Sequence, residues 1–298
     1  MASEKSQLKT RLRRFQETFR GQSLRSGARQ TIRYLFVGVA SIVTLLPLYF
    51  VVTTSFKPRS EASAFPPTLY PHEITIAPYV SALDQNPWIL WFINTGLISV
   101  ATVVTVLCLV TPAAYAVVRR DFLGRRMVYL TIVATLMLPG QIIALPLYIF
   151  FFDLGLINTR IGLVIAYSVF FSGFAFFLIY GTFKTLPEGI EEAARIAGIS
   201  EWKILLRVVL PLAKPGLATA GLFLFVFAWN EFFLALVFLQ EQNMYTFSIG
   251  LQFFRGLRGY VVVNQMFAIS SLATLPVLLL FTFFQKEFIK GIVTGFAE

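Results

Sequence analysis

The chain has 298 residues, 57% of them hydrophobic and only 13% charged, with 25 Lys+Arg against 15 Asp+Glu for a formal net charge of +10. Soluble domains average roughly 25% charged residues. That deficit, with a mean hydropathy of +0.73, excludes an ordinary water-soluble fold, because one interior could not hide so much apolar surface. A single cysteine, Cys108, and a single histidine, His72, exclude an internal disulfide, a zinc cluster and a histidine-based triad, so the chain offers no catalytic or metal-ligating set.

In chain order, residues 1–33 come first and are polar and basic. Leu8, Leu12, Phe15 and Phe19 recur at helical spacing, with Lys9, Arg11, Arg13, Arg14 and Arg20 around them. An amphipathic helix on the anionic inner face of a membrane and a disordered basic tail both fit this pattern. The rest, 34–298, reads as one all-α, polytopic membrane domain. A span needs about 20 mostly apolar residues, and six stretches qualify: 34–56, 91–118, 127–152, 161–183, 216–239 and 265–284. The first is longer than the apolar core of a signal peptide and ends in Thr53-Thr54-Ser55-Phe56-Lys57 with no small-x-small site, so it reads as an uncleaved span. Cys108 lies inside the second and reads as a small buried hydrophobe, while His72 falls in the loop after the first.

The basic residues set the orientation. Segments 1–33, 119–126, 184–214 and 285–298 hold nine, four, five and two Lys/Arg, which is 20 of the 25. The alternate loops hold only Lys57, Arg59, Arg160, Arg255 and Arg258. Positive residues concentrate in cytoplasmic loops, so both termini are expected in the cytoplasm, which six spans allow. The net charge is thus a topology signal and not a nucleic-acid footprint.

Segment 184–214 is the longest loop on that side. Thr185 with Glu188 matches a capping box, Pro187 suits a first turn and Gly198 suits a helix end, predicting a helix over about 187–197. Ser200 is placed to cap a second helix through Glu201 to Val209, stopping before Pro211. A helix so short is marginal in water. Ile190, Ala193, Ala194 and Ala197 share one face at i, i+3, i+4 and i+7, rimmed by Glu188, Glu191, Glu192 and Arg195. A surface docked by another protein and a loop helix packed on its own membrane domain are both open.

Glu192-Ala193-Ala194, three residues, Gly198, nine residues and Val208-Val209-Leu210-Pro211 resemble the EAA loop of ABC importer permeases, E-A-A-x3-G-x9-I-x-L-P. The chain departs only by Val208 in place of isoleucine. Phe92-Ile93-Asn94-Thr95, Leu138-Pro139-Gly140-Gln141, Leu145-Pro146-Leu147-Tyr148, Leu154-Gly155-Leu156-Ile157-Asn158-Thr159, Trp229-Asn230-Glu231-Phe232 and Thr274-Leu275-Pro276-Val277 extend the resemblance over most of 90–298. They look like the carbohydrate-uptake branch, and most like the shorter permease of a maltose-type pair.

The resemblance implies a type I ABC importer permease fold in a prokaryotic inner membrane. It implies a second permease subunit, two ATPase subunits that bind the ATP and Mg, and an extracytoplasmic solute-binding protein as partners. No cofactor is expected in this chain, and no G-x-x-x-x-G-K-[ST] occurs in it. By resemblance, Ile190, Glu192, Ala193, Ala194, Ala197 and Gly198 couple to the ATPase, with 184–214 as the coupling loop, and Tyr245, Phe253, Phe254 and Arg255 touch the binding protein; for these four an interfacial aromatic belt also fits. Glu231, with Trp229 and Asn230, falls inside the fifth stretch, where an ionisable group must face the bundle or water. A gate in the path and a structural carboxylate between helices are both open. Gln141 follows Pro139-Gly140, where a kink is expected. An ion-coupled secondary transporter and an ABC importer of a non-sugar solute are the rival readings; the first needs more midplane ionisable groups than Glu231 and internal repeats that the sequence does not show.

Overall fold

The computed structural model describes residues 30–254 and 261–295, with side chains as far as 286. The basic segment 1–29 and its expected amphipathic helix lie outside the described residues. Helix α1 (Gln30–Ser55) comes first. Two short helices, α2 (Arg59–Ala62) and α3 (Ala77–Gln85), fold the segment after it. Then come α4 (Trp88–Arg119), the pair α5 (Arg125–Ala134) and α6 (Gly140–Asp153), and α7 (Arg160–Lys184). A short α8 (Gly189–Ile196) precedes α9 (Glu201–Asn230). The chain ends with α10 (Phe233–Phe238), α11 (Phe247–Gly250) and α12 (Val263–Gly295). Among the described residues five helices are long and apolar enough to cross a membrane, and the bent pair α5–α6 makes a sixth.

α4 packs along α7, and α9 lies against both and against α12. Lipid is as apolar as leucine, so membrane helices gain little by burying apolar surface and associate through close packing. Gly216 of α9 and Gly173 of α7 serve this: a Cβ on either would overlap Thr182 or Thr135. Ile98, Val106, Tyr167, Phe176, Ile179 and Leu224 fill the contact between α4, α7 and α9. α1 stands apart. Residues 30–49 are exposed, and burial is complete only at Thr54 and Ser55. Cys108 is exposed on α4, not buried as expected.

Three expected boundaries are corrected. Stretch 127–152 is two helices bent by 103°. Pro139 has no N–H to continue the ladder, and Leu138 before it is driven to an extended conformation (ψ 119°). The expected kink is therefore a full break. Second, the helix from Glu201 does not stop before Pro211. It runs unbroken to Asn230 through a π turn at Leu205–Val209, whose wider ring gives the proline room, so the loop expected over 184–214 is only 185–200. Third, stretch 216–239 is interrupted after Asn230, so Glu231 lies in a break and not within a helix. α1, α4 and α12 each begin a few residues before the stretches predicted at 34, 91 and 265.

The connections fall into two groups. Loops 120–124 and 185–200 meet at one end, through Arg119–Glu188 and Arg120–Glu201. Segments 56–87, 154–159 and 239–254 gather at the other, where Asn264 donates to the Lys57 carbonyl and Trp91 to the Gln242 carbonyl.

Candidate docking site and path

The capping box does not form. Thr185 terminates α7, and its hydroxyl donates to the Thr182 carbonyl (2.9 Å). Glu188 is itself the residue before α8 and sends its carboxylate to Arg119 (3.1 Å). Ser200 does precede α9, with no side-chain cap bond. The other end of α8 closes as the glycine predicted. Gly198 has φ +75°, its N–H donates to the Arg195 carbonyl (2.9 Å), and the N–H of Ile199 donates to that of Ala194 (3.1 Å). This paired arrangement is the Schellman motif.

The predicted stripe is split between two surfaces. Ala194 is buried against the bundle, while Ile190, Ala193, Ala197 and Gly198 are exposed, as is Glu192. Ile196, absent from the prediction, is 89% exposed, and Trp202 on the first turn of α9 is 65% exposed. α8 and its flank thus present an apolar face with a carboxylate beside it. The loop helix is packed on its own membrane domain through Ala194, and its other face is open.

The sequence places Glu191 on the rim of α8, and the structure buries it at 2% exposure. Its carboxylate accepts from Arg119 Nε (2.8 Å) and from the Tyr115 hydroxyl (3.0 Å), and lies 3.5 Å from Arg195 Nη2. Arg195 also donates to Glu201 (2.9 Å), and this bond chiefly, against the opposing effect of burial, raises its guanidinium above the usual value. Adjacent glutamates therefore point opposite ways. The sequence signal for this was Arg119, a cation closing a long apolar helix, for which a carboxylate partner is required.

At the other end, Trp88, Trp91, Trp229, Phe247 and Phe254 form an aromatic core. Asn94 is fully buried. It donates to the carbonyls of Asn243 (2.9 Å) and Tyr245 (3.0 Å) and accepts from Arg160 Nε (2.9 Å), tying α4, α7 and the 241–245 loop together. Asn158, at φ 59°, accepts from the backbone N–H of Gln240 (3.1 Å) and Glu241 (3.0 Å).

The four expected path residues separate. Trp229 is buried in the aromatic core and donates to the Ala273 carbonyl (3.1 Å). Glu231 bridges elements: it accepts from the Tyr167 hydroxyl (2.7 Å) and from the N–H groups of Leu234 (2.8 Å) and Ala235 (3.0 Å), capping α10. Asn230 and Gln141 are exposed, one at each helix break. Of the residues expected to touch a binding protein, Phe253 is 48% exposed and Tyr245 half-buried, whereas Phe254 is buried, stacked on Trp88. Arg255 lies outside the described residues. Among the described residues no three His, Cys, Asp or Glu side chains are placed to hold a metal ion.

The family described as the binding-protein-dependent transport system inner membrane component matches residues 109–293. The chain is 30% identical to the diacetylchitobiose uptake system permease protein NgcG of Streptomyces coelicolor, over 86% of this chain and 84% of that one. It is 28% identical to the sulfoquinovosyl glycerol transport system permease protein SmoH of Agrobacterium fabrum, over 89% and 92%. A crystal structure of a bacterial ABC transporter involved in the import of the acidic polysaccharide alginate superposes with a TM-score of 0.75 at 26% identity, over 87% of this chain and 95% of that one. By these matches the chain belongs to the binding-protein-dependent inner-membrane family and is a multi-pass permease of an ABC importer.

Proposed function

We propose that this permease forms half of the path for a sugar or oligosaccharide, with a second permease as the other half, and is itself non-catalytic. The exposed face of α8 carries the reading. Ile190, Glu192, Ala193, Ile196, Ala197 and Trp202 meet a cytoplasmic ATPase subunit, which with its twin binds ATP and Mg, while Ala194 and Gly198 hold the helix in place. Segments 119–126 and 184–214, which meet at one end, hold nine Lys/Arg, so that end and both termini are read as cytoplasmic. The Phe253 and Tyr245 region, continuing to Arg255, receives the solute-binding protein outside, with Phe254 supporting it.

Backbone breaks at membrane depth are tolerated only inside protein or along water. The breaks at Pro139 and at Glu231 therefore mark the path, with Gln141 and Asn230 facing solute, Trp229 as wall and Glu231 as the cap that keeps one break open. The relatives named for diacetylchitobiose uptake and sulfoquinovosyl glycerol transport, and the solved transporter involved in the import of the acidic polysaccharide alginate, support a carbohydrate. The test is uptake by proteoliposomes holding both permeases, the ATPase and the binding protein. ATP-dependent uptake of a neutral or anionic saccharide is expected. Uptake driven by an ion gradient without ATP, or of amino acids alone, would refute it.

A further inference from the structure

We propose that Arg119 and Glu191 form the joint that passes movement of α8 to the membrane helices, with Glu191 a positioning residue and its neighbour Glu192 left to the docking face. This rests on the reading of α8 as the ATPase-docking helix. Arg119 is the last residue of α4, a helix of 32 residues whose first residues belong to the aromatic core at the far end. Its guanidinium gathers three elements. Nε donates to Glu191 (2.8 Å) and Nη1 to Glu188 (3.1 Å), both at the start of α8. Nη2 donates to the carbonyls of Phe183 (3.0 Å) and Leu186 (2.9 Å), at the end of α7. A planar group with five fixed N–H directions holds its partners in orientation as well as in place.

Tyr115, one turn earlier on α4, donates to the other oxygen of Glu191. α8 is therefore attached to α4 at two points a turn apart, which removes its freedom to swivel. The side chains of Arg119 and Glu191 are 4% and 3% exposed. Removing either leaves the other buried without its partner, the case in which a buried ion pair is costly to break. A second ring of pairs, Arg195–Glu201 (2.9 Å) and Arg120–Glu201 (2.7 Å), reaches α9, but these side chains are 34–47% exposed and screened by water. Movement of α8 is thus delivered through buried polar bonds to α4 and α7, and through backbone packing and half-exposed ion pairs to α9.

The experiment uses the full transporter in nanodiscs, binding protein included. Spin labels replace Gly189, where a Cβ would meet nothing within 4 Å, and Leu123, which is fully exposed, in a Cys108→Ser chain. With Glu191 present, the distance between labels should stay the same in nucleotide-free and ATP-trapped states. In Glu191→Gln it should broaden and shift on trapping. Transport per ATP hydrolysed should fall roughly tenfold, within the range a coupling free energy between two sites carries, while the ATPase still co-purifies and hydrolyses ATP. An unaltered distance, or wild-type transport per ATP, overturns the proposal. Loss of assembly in both Glu191→Gln and Tyr115→Phe assigns the cluster to folding and overturns it too. Failure of the docking reading is seen separately, as an ATPase that does not co-purify with the unaltered chain.

Discussion

Gly198 allows a prediction with an internal control. It sits at φ +75°, just past α8, and a Cβ there would meet nothing within 4 Å. Any effect of substitution is then backbone conformation alone. An L-residue with a Cβ costs about 1–2 kcal/mol in the left-handed region, while asparagine visits it readily. A frayed end of α8 is therefore favoured about 5- to 30-fold more in Gly198→Ala, more still in Gly198→Val, and little changed in Gly198→Asn. The two bonds at risk are the N–H groups of Gly198 and Ile199 on the carbonyls of Arg195 and Ala194. Hydrogen exchange of residues 195–199 should speed up in the order Asn, Ala, Val, with exchange in α4 and α7 unchanged. Transport coupling should fall in the same order. Equal effects of Asn and Val would refute the reasoning, because they would show that side-chain volume and not the left-handed turn sets the cost.

Ile196→Asp should weaken ATPase binding about thirtyfold, as removal of a docking anchor does at about 2 kcal/mol, measured by titrating the ATPase onto the permease pair in nanodiscs. Asn158→Ala should release the exposed N–H groups of Gln240 and Glu241 to water and put alanine in a left-handed backbone, at about 1–2 kcal/mol; detergent melting reads the loss, with 239–246 exchanging first. Glu61 should make the 57–76 segment sensitive to acid. Burial raises its carboxyl, but the Thr68 hydroxyl and the ring and N–H of His72 outweigh that and hold it down from 4.5 to about 2. A depressed carboxyl stabilises above its unfolded value, so protection from exchange in 57–76, relative to the unfolded chain at each pH, should fall as pH falls from 4.5 towards 2, and Glu61→Gln should flatten that dependence.

The spans were legible because lipid imposes one simple demand, length without charge, and α4 and α7 fall within a few residues of their predicted limits. Gly198 was legible because only one backbone conformation makes a glycine useful at a helix end. The failures share a cause. Periodicity says which residues share a face, but not which way the face turns or what lies opposite. Ile190, Ala193 and Ala194 lie on α8 and Ala197 just past its end, yet the bundle takes Ala194 and leaves the others exposed. Local rules for stopping a helix fail where tertiary packing can absorb the fault, as the π turn does before Pro211.

The two glutamates at 191 and 192 make the point most directly. Both are acidic, adjacent and on a short polar helix, so propensity and charge treat them alike. A helix turns about 100° per residue, which is enough to put one carboxylate in the protein and the other outside. What selects Glu191 for the inside is Arg119, 72 positions earlier, which needs a carboxylate once it is buried at the end of α4. With that pairing fixed, the orientation of α8 follows: Ala194 must turn inward, and Glu192, Ala193 and Ile196 must turn out. The direction of the docking face is thus set by a buried ion pair behind it and not by the motif that names the face.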